Sequence, residues 1–476
     1  MCNMKRYIFI GCLALASGAC TVPTSQLPRA ERKSMPEAFA VAGDTTNTGR
    51  VPWRDFFTDP YLIALIDTAL HNNQELNIVM QEINIARNEV RARKGEYLPF
   101  INVVGGAGVD KVATYTRQGA VEANNEIAPG KAFPEPLPDL LLAANLSWQV
   151  DIWKKLRNAK QAAMLRYLAT AEGRNFLVTR LIAEIATTYY ELMTLDNQLA
   201  YLEKNIEIQT NALEIVRLEK TAARVTELAV RRFEAEVLKS QSRIYHIRQR
   251  IVETENRINF LVGRFPQPVP RNSDRFIDLP TDHIAVGLPD QLLRNRPDIR
   301  QAEQELEAAK LDVKAARANF YPSLDLSATL GRESFNATYF ISKPGSLLYA
   351  LAGGLTQPLV NRNAIKAMYF SANARQLQAV FAYERTLLTA YVEVANQIAN
   401  MRNMEASYAL RARQVTALTQ SIEISTRLFK SARADYMEVL LTQRDALESR
   451  FELAETKKQQ LMAMVNIYQA LGGGWR

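Results

Sequence analysis

Side chains able to do covalent or metal chemistry are few in this 476-residue chain, and their spacing argues against most of it. The three histidines, His71, His246 and His283, lie far apart, and neither an HExxH nor a CxxC spacing occurs. A His/Cys metal centre or a His-based catalytic site is therefore not expected. Gly105-Gly-Ala-Gly108 has the glycine content of a phosphate loop, but it sits inside a strand-like run with no helix after it. Glu303, Glu305 and Glu307 read as a solvated helix face rather than an acid/base dyad. The expectation is no catalytic residue, no cofactor and no resident metal.

The reactive group with a telling context is a thiol. Cys2, Cys12 and Cys20 all fall within the first twenty residues. Lys5 and Arg6 are followed by an apolar run from Tyr7 to Ala19, which fits a bacterial secretion signal and is too short to span a bilayer. Ser17-Gly-Ala19 supplies the small residues that a peptidase needs beside a lipid-modified cysteine. Cys20 is thus expected to carry covalent diacylglycerol and N-acyl lipid, after removal of residues 1–19. An ordinary cleaved signal peptide is the alternative. Against it, a mature chain starting at Cys20 has no second cysteine with which to form a disulfide.

Composition narrows the class further. Apolar residues make up 47% of the chain and charged residues 23%, with mean hydropathy −0.17, so a sizeable core can form. The net charge of +8 is spread along the chain, and nucleic-acid binding is not expected.

A duplication organises everything after the leader. Leu76, Ile83, Ala86, Val90, Tyr97 and Pro99 match Ile299, Leu306, Ala309, Val313, Phe320 and Pro322 at an offset of 223. Further on the offset is 209, pairing Glu184 with Glu393, Thr210 with Thr419, Arg224 with Arg433 and Gly263 with Gly472. The shift means that the first copy holds extra residues between Pro99 and Leu156, in one loop. The expected organisation is an extended segment over 20–58, a first repeat over 59–263, a Pro-rich linker over 264–290 and a second repeat over 291–476.

Each copy changes period inside itself. Leu324, Leu326, Ala328 and Leu330 alternate with Asp325, Ser327 and Thr329. Leu140, Leu142, Ala144, Leu146, Trp148 and Val150 alternate with Ala143, Asn145, Ser147 and Gln149. Strands are expected near 99–113, 139–151, 322–333 and 346–358, each about as long as a tilted strand crossing a bilayer. Four strands cannot close a membrane barrel, since the smallest need about 8, and lipid tolerates no open edge. The chain must therefore assemble with copies of itself. Long helices are expected over 155–218, 226–262, 364–429 and 436–471. Ile185, Tyr189, Leu192, Leu195, Leu199, Leu202 and Ile206 recur every three or four residues, as coiled-coil packing demands. The fold class expected is mainly α with a membrane β-barrel: long helical hairpins plus two β-hairpins per chain.

Four stretches carry a resemblance. Trp53-Arg-Asp-Phe-Phe-Thr-Asp-Pro-Tyr-Leu62, Arg296-Pro-Asp-Ile-Arg-Gln-Ala302, Ala432-Arg-Ala-Asp-Tyr-Met-Glu-Val-Leu440 and Ala470-Leu-Gly-Gly-Gly-Trp475 together resemble the outer-membrane factor (TolC-like) family, in its NodT-type, OprM-like lipoprotein branch. The resemblance implies a homotrimer with a twelve-stranded barrel in the outer membrane of a Gram-negative bacterium and a helical barrel in the periplasm. It implies a membrane-fusion adaptor and an inner-membrane RND pump as partners, and export of small molecules as the function.

By the same resemblance, the helical tips would gate the duct. Arg224, Glu227, Arg433, Asp435 and Glu438 lie near the expected tips, and three-fold symmetry would turn each into a ring of like charge. Glu438 falls where the family tends to place a constricting carboxylate; Leu441 takes the position of a frequent second one, and Ala229 stands opposite Glu438 in the first copy. Family tips usually carry glycine where Ala223 and Ala432 stand here. Solvated coiled-coil charges are the alternative reading of these residues. Two other functions stay open at this point: an outer-membrane duct for type I protein secretion, and a periplasmic coiled-coil scaffold lipoprotein without a pore.

Overall fold

Strand and helix formation follow the two hydrophobic periods. The computed structural model describes residues 22–23, 29–39, 46–281, 284–358, 360, 362–431 and 433–476. Cys20 and Ala432 lie outside them, and so does the expected leader. The main elements are α1 (Pro60–Asn72), α2 (Gln74–Tyr97), β1 (Phe100–Asp110), β2 (Leu137–Val150), α3 (Lys155–Thr221) and α4 (Glu227–Val262). Then come α5 (Pro297–Ala318), β3 (Ser323–Ser334), β4 (Leu347–Thr356), α6 (Asn363–Lys430) and α7 (Tyr436–Ala470). At 67 and 68 residues, α3 and α6 each run about 100 Å.

The residues form two units. The first takes residues 84–168 and 304–381 and holds the sheet. Its strands run in the order β1-β2-β3-β4, all antiparallel. The two expected hairpins are therefore one sheet, because β2 also pairs with β3 from Leu140↔Ser334 to Val150↔Leu324. Hydrogen-bonding groups along the facing, antiparallel edges of two amphipathic ribbons satisfy each other, which periodicity within either ribbon could not reveal. The edges β1 and β4 pair with nothing outward among the described residues. The loop from 111 to 136 is longer than its counterpart from 335 to 346 and contains a short helix, Arg117–Asn124, and a ribbon pairing Glu126–Ala128 with Lys131–Ala132. That difference in length is the 14-residue surplus of the first copy.

The second unit takes residues 31–83, 169–303 and 382–476 and holds the main core. Leu62, Ile66, Ile182, Ile185, Tyr189, Leu192, Ile258, Leu461, Val465 and Tyr468 pack together in it. Asp59 starts α1, accepting from the amides of Tyr61 and Leu62 at 2.8 and 3.4 Å while Tyr189 Oη donates to it at 2.9 Å. The return helix α4 stops at Gly263 and the chain leaves α7 through Gly472, with φ of 76° and 85°. A Cβ at these glycines would stand 2.4 Å from Asn72 O and 2.5 Å from Asn295 O, so both copies need glycine for the same close approach.

The motif Arg296-Pro-Asp298, which opens the second copy, also acquires a reason. The Arg296 side chain is only 4% exposed and binds Asp298 through Nε and Nη2 at 3.0 and 2.7 Å. Its Nη1 reaches Glu393 of α6 at 2.7 Å and Ala470 O of α7 at 3.0 Å. In the linker, Arg271 bridges Asp196 of α3 and Glu255 of α4, each at 2.5 Å. Burial pulls its basicity down, but the hydrogen bonds it donates to those two carboxylates outweigh burial and leave its pKa raised.

Candidate functional site

Two surfaces carry chemistry that the fold itself does not require. One is the pair of hairpin tips in the second unit. Helix α3 ends in a Schellman motif: Arg224 N donates to Glu219 O and Ala223 N to Lys220 O, both at 2.9 Å. Ala223 sits at φ 56°, the left-handed position that glycine would take without strain. Arg433 N makes the matching bond to Leu428 O at 2.9 Å in the second copy.

The five tip residues fall into two groups. Glu227 opens α4 and is bound by Lys220 and by Arg231, the latter at 2.8 Å. The hydrogen bond from Lys220, helped by both cationic charges, lowers its pKa. Arg224, Arg433, Asp435 and Glu438 are exposed and make no ion pair among the described residues. Asp435 is the N-cap residue of α7 but its side chain caps nothing, and Glu438 stands in the first turn, where the helix dipole favours a carboxylate. The carboxylate of the first tip is thus compensated, and the second tip leaves its carboxylates available.

The tips of the two copies are brought together by packing, not by those charges. Leu213 and Val216 of α3 and Val230, Phe233 and Val237 of α4 form a cluster that takes in Tyr436 and Leu440 of α7. The Phe233 and Tyr436 rings lie 6.2 Å apart, and Arg232 Nη1 stands 3.0 Å from Met437 Sδ. Farther along the same helices a second cluster joins Leu195, Leu202, Ile247, Leu447 and Phe451. Between the clusters, by position on all three helices, fall Gln209 (1% exposed), Ser240 (5%) and Gln443 (3%), with Asn205 one turn away. Asn205 Oδ1, Gln209 Oε1 and Gln443 Oε1 have no partner among the described residues. The seam therefore passes through Leu202, Asn205, Gln209 and Leu213, and Ile206, expected on it, is only half-buried. Apolar spacing had pointed to Ile206; the polar signal at 205 and 209 was legible only as an interruption.

The other surface is the sheet. Cross-strand partners share a face, so the registers place Ile101, Val103, Leu140, Leu142, Leu146, Trp148, Val150, Leu324, Leu326, Leu330, Tyr349, Leu351 and Leu355 together on one side. That side is open: Val103 is 70% exposed, Tyr349 80% and Leu351 83%. The opposite side carries Asn102, Asn145, Ser147, Gln149, Asp325, Ser327 and Thr329 among glycines and alanines, with Phe100, Val104, Leu141 and Leu348 as its larger apolar residues, and Thr329 Oγ1 donates to Asn145 Oδ1 at 2.8 Å. Water outside such a face would be intolerable over this area, whereas hydrocarbon suits it. Among the described residues no helix is long and apolar enough to cross a membrane, and no cluster of His, Cys, Asp and Glu is placed to hold a metal ion.

The family model for the outer membrane efflux protein matches residues 65–264 and 288–473, both copies of the repeat. The chain belongs to that family. Its relatives include the solvent efflux pump outer membrane protein SrpC of Pseudomonas putida, 27% identical over 473 residues that cover 97% of each chain. The cation efflux system protein CusC of Escherichia coli is 25% identical over 474 residues, 98% of each chain. Among solved structures, a membrane protein from Pseudomonas aeruginosa superimposes with a TM-score of 0.84 at 23% identity, covering 94% of this chain and all of that one. Membership in the outer membrane efflux protein family accounts for the apolar sheet face and the duplicated hairpins together.

Proposed function

We propose that the protein is the outer-membrane duct of a tripartite RND-type efflux system, working as a homotrimer. The observation that carries this reading is the open four-stranded sheet with one exposed apolar face, an opposite face that holds its polar residues, and two edges unpaired among the described residues. Three copies joined edge to edge leave no strand unpaired in lipid and enclose a polar lumen. The long hairpins then supply the periplasmic part, and their tips are where an adaptor and, through it, an inner-membrane pump would engage. Lipid on Cys20 adds an anchor that needs no partner. Relatives of comparable similarity are named for solvents and for cations, which supports a duct whose cargo is chosen by the pump.

At the tips, Asp435 and Glu438 would form the constricting rings. Glu227 is already neutralised in place by Lys220 and Arg231, so it contributes structure to the tip and little field to the pore. Reconstitution into planar lipid bilayers, with native mass measurement, tests the whole reading. Trimers that give discrete conductance steps are expected. A monomeric, water-soluble acylated protein without conductance would leave the scaffold reading in its place.

A further inference from the structure

Where β2 hands over to α3, the chain turns through Asp151-Ile-Trp-Lys-Lys155. Val150 is the last residue of the apolar face, and Ile152 and Trp153 continue it at 49% and 45% exposure. The Trp153 ring stacks on Tyr321 with centroids 4.7 Å apart, and its Nε1 donates to Pro322 O at 2.8 Å. Asp151 is committed to the amides of Leu156 and Arg157 and to the Arg157 guanidinium, at 3.0, 2.9 and 3.2 Å. Lys155 therefore stands beside the aromatic pair, with the exposed Lys154 next to it in the chain, and neither has an anionic partner among the described residues. A cavity of about 210 Å³ opens here between Trp153, Lys155, Tyr321 and Pro322 on one side and Pro358 and Ile365 on the other.

We infer that this corner binds the phosphate of an anionic glycerophospholipid from the periplasmic leaflet of the outer membrane. An amphipathic ring held at the end of a lipid-facing strand sits at headgroup depth, and two unpaired ammonium groups at that depth attract phosphate. The acyl chains would follow Val150, Leu324 and Leu355, which are neighbours on the apolar face. Trp153 and Lys155 follow β2, a central strand of the sheet, while the facing wall of Thr356, Pro358 and Ile365 follows the edge strand β4. In the second copy the positions equivalent to Lys154 and Lys155 hold Asn363 and Ala364, neither of them cationic. Its equivalent of Trp153 is Arg362, which donates to Phe320 O at 3.1 Å and lies over the Phe320 ring. One site per chain follows. The inference rests on reading the sheet as a barrel wall.

The test uses the full-length protein in nanodiscs of phosphatidylethanolamine with a minority of phosphatidylglycerol. Lipid retained through detergent extraction is identified by mass spectrometry, and conductance is recorded from the same preparations. The Lys154→Gly/Lys155→Gln variant removes both charges, and glycine accepts the φ of 60° that Lys154 adopts, so the turn is kept. Wild type and Lys155→Arg are expected to retain phosphatidylglycerol about tenfold better than the double variant, all three conducting alike. Equal retention by the conducting double variant overturns the site. Displacement of the retained lipid by inorganic phosphate overturns the lipid as its occupant. Absence of insertion and conductance in wild type itself would instead bring down the barrel reading, and the site with it.

Discussion

Ala223 is a residue in a position made for another. Its left-handed φ of 56° costs about 1 kcal/mol relative to glycine, and nothing in the turn needs its methyl group. Ala223→Gly is expected to raise protection of the Arg224 and Ala223 amides against hydrogen exchange about fivefold, as ~1 kcal/mol of local stability requires. Glu227 supplies a pH dependence at the same turn. Because Lys220 and Arg231 lower its pKa in the folded state, its stabilising contribution is present above the unfolded carboxylate pKa and is lost as pH falls through the lower, folded one. Protection at the first tip, measured as the exchange rate relative to the intrinsic rate at each pH, should therefore fall on acidification below the ordinary carboxylate range. Glu227→Gln should abolish that fall; a persisting one would show that another group controls the tip.

Among the elements, the hairpins are not uniform rods. Two apolar clusters hold α7 against α3 and α4, and the layer between them contains buried carbonyl oxygens without donors among the described residues. A polar layer in a seam fixes register at a cost in stability. Gln443→Leu removes one unpaired acceptor at nearly constant volume, so it is expected to stabilise the protein by about 1 kcal/mol in denaturant unfolding of the solubilised form. A destabilised variant would mean that Gln443 has a partner such as ordered water. The linker is the opposite case. Arg271→Ala would leave Asp196 and Glu255 facing each other at a site where the arginine is only 16% exposed, and a loss of about 3 kcal/mol is expected from the same measurement.

For the whole molecule, the two faces of the sheet should answer differently to the same substitution. Leu351 and Ala352 are adjacent on β4 and point to opposite sides. Leu351→Lys puts a charge toward hydrocarbon at a cost of about 2–4 kcal/mol near the bilayer midplane, so the yield of heat-modifiable trimer in outer-membrane extracts should collapse. Ala352→Lys puts the charge toward the lumen. It should leave trimer yield intact and shift reversal potentials toward anion preference in planar bilayers. If both variants lost assembly equally, the face assignment would be wrong.

Much of this was legible in the residues alone. Alternation in Leu324–Leu330 and Leu140–Val150 named the strands and their apolar sides, proline-free three–four spacing named the long helices, and self-similarity named two copies with a surplus in one loop. These signals are local, because side-chain direction follows backbone period over a few residues. What tertiary structure alone decided was long-range: that β2 pairs with β3 to make one sheet of two hairpins, that the seam runs through Asn205 and Gln209 and leaves Ile206 on its flank, and that Lys220 and Arg231 neutralise Glu227 while Glu438 stays exposed. Each depends on which segments meet across more than a hundred residues or across a turn, and hydrophobic period carries no record of the partner.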